Sequence, residues 1–263
     1  MLVALDTSTR FAGLALVDGG RVLAELNWEV GQRHSTELLT RLDWLLRSRG
    51  SSPADLTAVA VATGPGSFNG VRVAVTAAKA LALAWHIPLF AHCTLDVIAW
   101  GASFADRDVW AILEAGRGQL YAARYAAPAA SPAQWHPVDG YHVLTPAELA
   151  ERMSQPALVC GEWQPQTRVD LEAHMGDRIQ FTSEVFGRRA GWLAELALAR
   201  LATGTFDDPA RVEPQYMRKP AITKSKKAGL ARANSGSALT VSQAGDSARS
   251  ARHGEEASRA IYG

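Results

Sequence analysis

Apolar and polar positions follow a strand period at the start of the chain. Leu2-Val-Ala-Leu is a short apolar run ending at Asp6, Phe11 to Val17 is a second, and Val22, Ala24, Leu26 and Trp28 alternate through a third. Asp18-Gly19-Gly20 separates the last two, and Asp-Gly between such runs is a strong hairpin signal. A three-stranded meander is therefore expected. The period then becomes helical. Leu38, Leu39, Leu42, Leu45 and Leu46 fall on one stripe, which predicts a helix over 35–48 closed by Gly50. Thr57 to Thr63 reads as a buried strand, and Gly64-Pro-Gly-Ser-Phe-Asn-Gly70 leads from it into a long helix ending near Trp85. Pro88 to Ala91 reads as a strand and Leu95 to Phe104 as a helix.

A second strand-rich block follows. Val109 to Glu114 and Gln119 to Tyr125 flank a turn at Gly116–Gly118, and the Ala/Pro-rich stretch from Ala126 to Pro137 reads as a loop. Thr145-Pro-Ala-Glu148 is a helix start, with Thr as N-cap, Pro at the first helical position and Glu at the third. Strands are expected at Ala157 to Cys160 and Ile179 to Phe181, and an Ala/Leu helix from Gly187 to Leu201. This order predicts an α/β protein of two lobes meeting near residue 100, one over 1–100 and the other over 101–220.

The charge is unevenly divided. The whole chain of 263 residues has a formal net charge of +1, but residues 1–220 carry −3 and residues 221–263 carry +4. The last segment scatters a few apolar residues without period among Ser, Ala, Gly and Lys/Arg. It buries too little to offset its ordering entropy, so it reads as a disordered basic tail. Lys224, Lys226 and Lys227 there suit RNA contact or simple solubility equally. The slightly acidic body argues against an RNA-binding domain, which would need a strongly basic surface. Two cysteines, Cys93 and Cys160, make no disulfide framework, and no four-ligand zinc spacing occurs. Residues 1–6 lack the basic start of a signal peptide. The apolar stretch Val71 to Phe90 is interrupted by Arg72, Lys79 and His86, seven apart on one helical face, which does not suit a membrane span. A cytoplasmic protein is expected.

Two loops carry candidate chemistry. Gly64 to Gly70, with Gly64, Gly66 and Ser67 at its head, joins a strand to a helix start, a setting that suits a phosphate. It matches neither the Walker A nor the dinucleotide fingerprint, because Gly70 is followed by Val-Arg and the third glycine falls one residue late. A tight turn packing helix against sheet explains the glycines as well. Asp6-Thr7-Ser8 at a strand end suits magnesium and phosphate oxygens, or a turn capped by its own side chains. Trp44 falls opposite the leucine stripe, among Glu37, Thr40, Arg47 and Ser48, so it is either covered by a neighbouring segment or part of a partner surface. The helix after Gly70 carries six alanines and an Arg72–Thr76–Lys79–His86 stripe, readable as an interface or as a core helix with one solvated edge. No catalytic constellation stands out: no His-x-x-x-His or His-x-x-His pair occurs, Ser67 lacks a nucleophile-elbow setting, and Glu114 and Glu162 have no obvious acidic partner.

Several of these pieces together resemble one family. The opening Leu-Asp6-Thr7-Ser8, Arg33-His34-Ser35 before the leucine helix, Gly64-Pro-Gly-Ser-Phe-Asn-Gly-Val-Arg72, and the close at Pro214-Gln-Tyr-Met-Arg218 are similar to TsaB, also called YeaZ, the bacterial tRNA threonylcarbamoyladenosine biosynthesis family. Residue 69 is Asn where the family usually has Thr, and the resemblance ends near residue 220. It implies a two-lobed fold of the actin/hexokinase/Hsp70 (ASKHA) type with mixed sheets. It also implies a non-catalytic subunit that stabilises and activates the paralogous transferase TsaD, alongside the ATPase TsaE. The product would be threonylcarbamoyl on adenosine 37 of tRNAs that read ANN codons. Such a subunit has no cofactor of its own, ATP and magnesium being used by the complex, and it meets tRNA only there. Family members pair through the first two helices, as homodimers or with TsaD. That places His34, Thr40, Trp44, Arg47, Arg72, Val75, Thr76 and Lys79 at the partner interface. The alternative for the same fold class is an ATP-dependent small-molecule kinase or a glycoprotease-like enzyme.

Overall fold

The opening meander forms as expected. Strands β1 (Leu2–Asp6), β2 (Phe11–Asp18) and β3 (Arg21–Glu29) pair antiparallel in the computed structural model, which describes residues 1–30, 34–183 and 188–217, with only the backbone of 34–36. The β2–β3 turn places Gly19 and Gly20 at φ 53° and 75°, the left-handed backbone a two-residue hairpin of this hand requires. Helix α1 (His34–Ser48), strand β4 (Ala58–Ala62), helix α2 (Phe68–Trp85) and strand β5 (Leu89–His92) follow, with β4 parallel to β1 and β5 parallel to β4. Helix α3 (Thr94–Trp100) is shorter than the apolar pattern implies, ending at Gly101.

The second block repeats the first. Strands β6 (Asp108–Gly116), β7 (Gln119–Tyr125) and β8 (Tyr141–Leu144) make an antiparallel meander. Helix α4 (Pro146–Arg152), strand β9 (Ala157–Glu162), helix α5 (Pro165–Met175), strand β10 (Ile179–Phe181) and helix α6 (Ala190–Ala202) complete it. The sheets run β3-β2-β1-β4-β5 and β8-β7-β6-β9-β10, with the same parallel and antiparallel relations at every step. Thr145 and Glu148 form the expected capping box at α4: the Thr145 hydroxyl accepts from the Glu148 amide at 3.3 Å, and the Glu148 carboxylate accepts from the Thr145 amide at 2.7 Å. Two elements have no counterpart in the sequence reading. Strand β8 is a four-residue edge, and α5 buries only Thr167, Leu171 and Met175, too sparse a stripe to register as amphipathic.

Both faces of each central strand are buried, and alternation divides them between separate cores. Val3, Leu5, Leu14, Leu16, Val59 and Val61 face α1 and α2, and Trp110, Ile112 and Val159 face α4 and α5. The opposite faces carry Ala4, Ala15, Ala58, Ala60, Ala62, Ala111 and Ala123 into one shared core with α3 and α6. Small residues there allow the helices to lie close to the strands. The last helix of each repeat is exchanged: α3 packs on β6, β9 and β7, while α6 packs across β1 to β5. Residues 190–202, placed by chain order in the second lobe, therefore lie against the first sheet. All described residues belong to one compact unit, Met1–Lys219. The 221–263 tail lies outside the described residues. No described helix is long and apolar enough to cross a membrane.

The exchanged α3 is tied to the second sheet by a half-buried acid. Asp96 accepts the Tyr125 hydroxyl at 2.6 Å and the Tyr141 hydroxyl at 2.8 Å, and Trp135 Nε1 donates to its backbone carbonyl at 3.1 Å. Burial raises its carboxyl above the usual range, the two phenol hydroxyls opposing this only in part. A carboxyl raised in the folded state favours folding while protonated, and that contribution is lost as pH rises from the ordinary carboxylate range through the raised value. Urea denaturation between pH 4 and 8 is therefore expected to show the wild type losing stability relative to Asp96→Asn as pH rises through the lower part of that interval. Parallel profiles for the two proteins would contradict this.

Candidate functional site

The two loops singled out in the sequence meet at the carboxyl end of β1. Thr7 Oγ1 donates to the Gly70 carbonyl at 2.6 Å, and the Ser67 amide donates to the Ser8 carbonyl at 2.6 Å. Thr94, at the start of α3, accepts from the Gly64 amide at 3.1 Å, donates from its amide to the Gly64 carbonyl at 2.8 Å, and donates its hydroxyl to Ser8 Oγ at 2.9 Å. The Gln215 amide closes over the same turn onto the Thr63 carbonyl at 2.6 Å. Glycine is demanded here by contact. A Cβ on Gly66 would lie 2.0 Å from the Ser8 carbonyl oxygen, and one on Gly70 2.0 Å from that of Thr7. The Gly70 amide donates to Ser67 Oγ at 3.3 Å, which caps α2, and the Val71 amide donates to the Ser67 carbonyl. The amides of Gly64, Ser67, Gly70 and Val71 are thus engaged inside the protein, as the tight-turn reading requires.

Asp6 is buried. Its Oδ1 accepts the Ser8 amide at 2.9 Å, and its Oδ2 accepts Nε of Arg188. The guanidinium donates also to Glu162 at 3.0 Å, to Thr9 Oγ1 at 3.2 Å and to the Phe11 carbonyl at 2.7 Å. Thr9 in turn donates to Glu162 at 2.8 Å. The Arg188 and Asp6 side chains are 3% and 2% exposed and Glu162 is half-buried, so removing Arg188 leaves an uncompensated buried carboxylate at a cost of about 3–5 kcal/mol. Beside it lies a cleft of about 490 Å³, lined by Ser8, Thr9, Gly66, Ser67, Glu114 and Glu162 among others. Glu114 accepts the Gln164 amide at 2.8 Å and the Thr167 hydroxyl at 2.7 Å, capping α5. Magnesium does not fit at Asp6, because both carboxylate oxygens and the facing Glu162 oxygen already hold protein donors, one of them a cation. Sequence reading missed Arg188 and the Asp6–Glu162 pairing. The partners lie 182 and 156 residues apart along the chain, a separation with no local signature.

The expected interface residues divide. On α1, Leu38, Leu42, Leu45 and Leu46 are buried, whereas Leu39 is 53% exposed at the margin of the stripe, not within it. Trp44 is 59% exposed and lies beside exposed Thr40 and Arg47, so no described segment covers it. On α2, Arg72, Thr76 and His86 are exposed, as is Leu83 at 60%. Val75 is a core residue at 3% exposure and presents nothing to a partner. Lys79 is half-buried, its Nζ donating at 3.0 Å to the carbonyl of Val212, which anchors the segment after α6 across α2. Arg72 lies 5.2 Å over the ring of Phe68, which stacks on Tyr216. The His34 side chain lies outside the described residues, as do Arg33 and Arg218.

Two equivalent mixed sheets with exchanged helices, and a cleft between the ends of their central strands, define a two-lobed α/β protein of the actin/hexokinase/Hsp70 class. A family model described as TsaD, tRNA N6-adenosine threonylcarbamoyltransferase, matches residues 28–157. The tRNA threonylcarbamoyladenosine biosynthesis protein TsaB of Escherichia coli is 32% identical over 226 residues, covering 82% of this chain and 94% of that one. TsaB of Bacillus subtilis is 36% identical over 124 residues, covering 47% of this chain and 54% of the relative, about half its length. Among solved structures, YeaZ from Pseudomonas aeruginosa superposes with a TM-score of 0.68 at 27% identity, covering 82% of this chain and 99% of that one. The chain belongs to the TsaB (YeaZ) family.

The contact geometry separates two kinds of glycine. Gly70→Ala is expected to destabilise the protein by more than about 3 kcal/mol, because the new Cβ meets a backbone carbonyl that cannot move alone. Gly116→Ala, at φ 73° with open space around it, is expected to cost about 1 kcal/mol. Urea denaturation of the two variants measures the difference, and equal losses would contradict the loop packing.

Proposed function

We propose that this chain is the non-catalytic subunit of a cytoplasmic assembly that forms N6-threonylcarbamoyladenosine at position 37 of tRNAs reading ANN codons, where it binds and activates a TsaD-type transferase. ATP and magnesium are then used by the TsaD- and TsaE-type partners, and tRNA is met only in the complex. The observation that carries this is the exposed apolar surface of α1 and α2. Trp44, Leu39 and Leu83 expose large apolar side chains on two adjacent helices, where a tryptophan in particular marks an interface centre. The matched family model of the transferase spans both helices, which suits pairing between two proteins of one fold. A homodimer through the same face competes with that pairing. Engagement of Asp6 by Arg188 agrees with a subunit that leaves nucleotide chemistry to its partners.

Purified alone, the chain is expected to transfer nothing to tRNA, and addition of its TsaD- and TsaE-type partners is expected to give threonylcarbamoyladenosine. Full activity of the isolated chain would overturn the proposal. Trp44→Asp is expected to weaken association with the TsaD-type subunit at least about 10-fold in analytical ultracentrifugation, with the thermal midpoint unchanged. Lys79→Glu is a poorer probe, since it also breaks the Val212 contact.

A further inference from the structure

At the junction of the two sheets a protein side chain sits where the loop chemistry would otherwise hold a metal. Asp6 ends β1, Thr9 and Phe11 lie on the turn into β2, and Glu162 ends β9 of the other sheet. The oxygen atoms of all four converge on one guanidinium. Two carboxylates, a hydroxyl and a carbonyl are an all-oxygen ligand set of the kind hard divalent cations take. Arg188 meets the same set with one positive charge and a planar fork of donors. Unlike an exchangeable ion, it cannot leave, because it is tied to the chain at the start of α6.

We infer that Arg188 is a built-in substitute for a divalent cation, filling the oxygen cage beside the cleft and denying that cleft metal-assisted nucleotide binding. The inference concerns only residues of this chain and stands whether or not the proposed tRNA role is correct. The guanidinium screens Asp6 from Glu162 and bridges the first sheet to the second, so the cleft stays joined without ligand. A nucleotide–metal complex would have to displace this buried ion pair before reaching Asp6.

The test uses the full chain as wild type, Arg188→Ala, and the triple variant Asp6→Asn, Glu162→Gln, Arg188→Met, which removes every charge of the triad at similar volume. Mn²⁺, alone and with ATP, is the probe, with thermal melting and titration calorimetry as readouts. The wild type is expected to melt at the same temperature with and without Mn²⁺ or Mn²⁺–ATP. Arg188→Ala is expected to melt at least about 6 °C lower and to recover more than half of that in millimolar Mn²⁺, with a new binding isotherm. The triple variant is expected to fold, to melt nearer the wild type, and to ignore Mn²⁺; it carries the test if Arg188→Ala does not fold without metal. Stabilisation of the wild type by Mn²⁺ or Mn²⁺–ATP would overturn the inference. So would an Arg188→Ala protein indifferent to Mn²⁺, or a triple variant that binds it.

Discussion

A buried carboxylate at the end of a central strand must have its charge met, since an uncompensated one costs several kcal/mol. Asp6 is in that position, and the partner that meets its charge arrives from the start of α6. Much follows from that requirement. Arg188 reaches Asp6 only if α6 returns to the first sheet, and it reaches Glu162 at the same time only if β9 ends beside β1. The same end of β1 also receives the glycine-rich turn, whose Ser67 and Gly70 bond to Ser8 and Thr7. One strand end thus orders the cleft, the start of α2 and the join between the sheets.

Exchange of α3 and α6 joins the two repeats in one core. A repeat that kept its own third helix would be an independent layer, able to open separately. Here the alanine-rich inner faces of both sheets lie in one core with both helices, and Asp96 on α3 is bonded to Tyr125 and Tyr141 of the second sheet. Opening either half exposes apolar surface belonging to the other. Helices α1 and α2 rest on the outer side of the first sheet, and the buried stripe of Leu38, Leu42, Leu45 and Leu46 leaves Trp44 outward.

Charge divides along similar lines. The body is mildly acidic, Asp6 and Glu162 are paired internally with Arg188, and its exposed large apolar side chains include those on helices, features that suit contact with protein better than with a phosphate backbone. Both cysteines are free and buried, and burial pushes their thiols well above the ordinary value, so they behave as small apolar side chains.

Most strands and helices were legible in the sequence because hydrophobic period and turn chemistry are local. The Asp18-Gly19-Gly20 hairpin, the leucine stripe of α1 and the Thr145–Glu148 capping box each show within a few residues, and the Gly64–Gly70 turn shows in its glycine spacing although distant Thr7 and Ser8 demand those glycines. The resemblance to the TsaB family was carried by short strings of the same local kind. Four-residue β8 and weakly striped α5 escaped because they bury too few side chains to set a period. What the sequence by itself determined, then, was the succession of elements and the placement of Trp44 off the leucine stripe, while its exposure came from the structure. Only the tertiary structure decided that Val75 is core, that Lys79 holds Val212, that α3 and α6 change places, and that Asp6, Glu162 and Arg188 form one triad. Each of these depends on groups in different elements, from 26 residues apart for Glu162 and Arg188 to 182 for Asp6 and Arg188, or on which of two faces a neighbouring element covers, and no periodicity within a single segment encodes either.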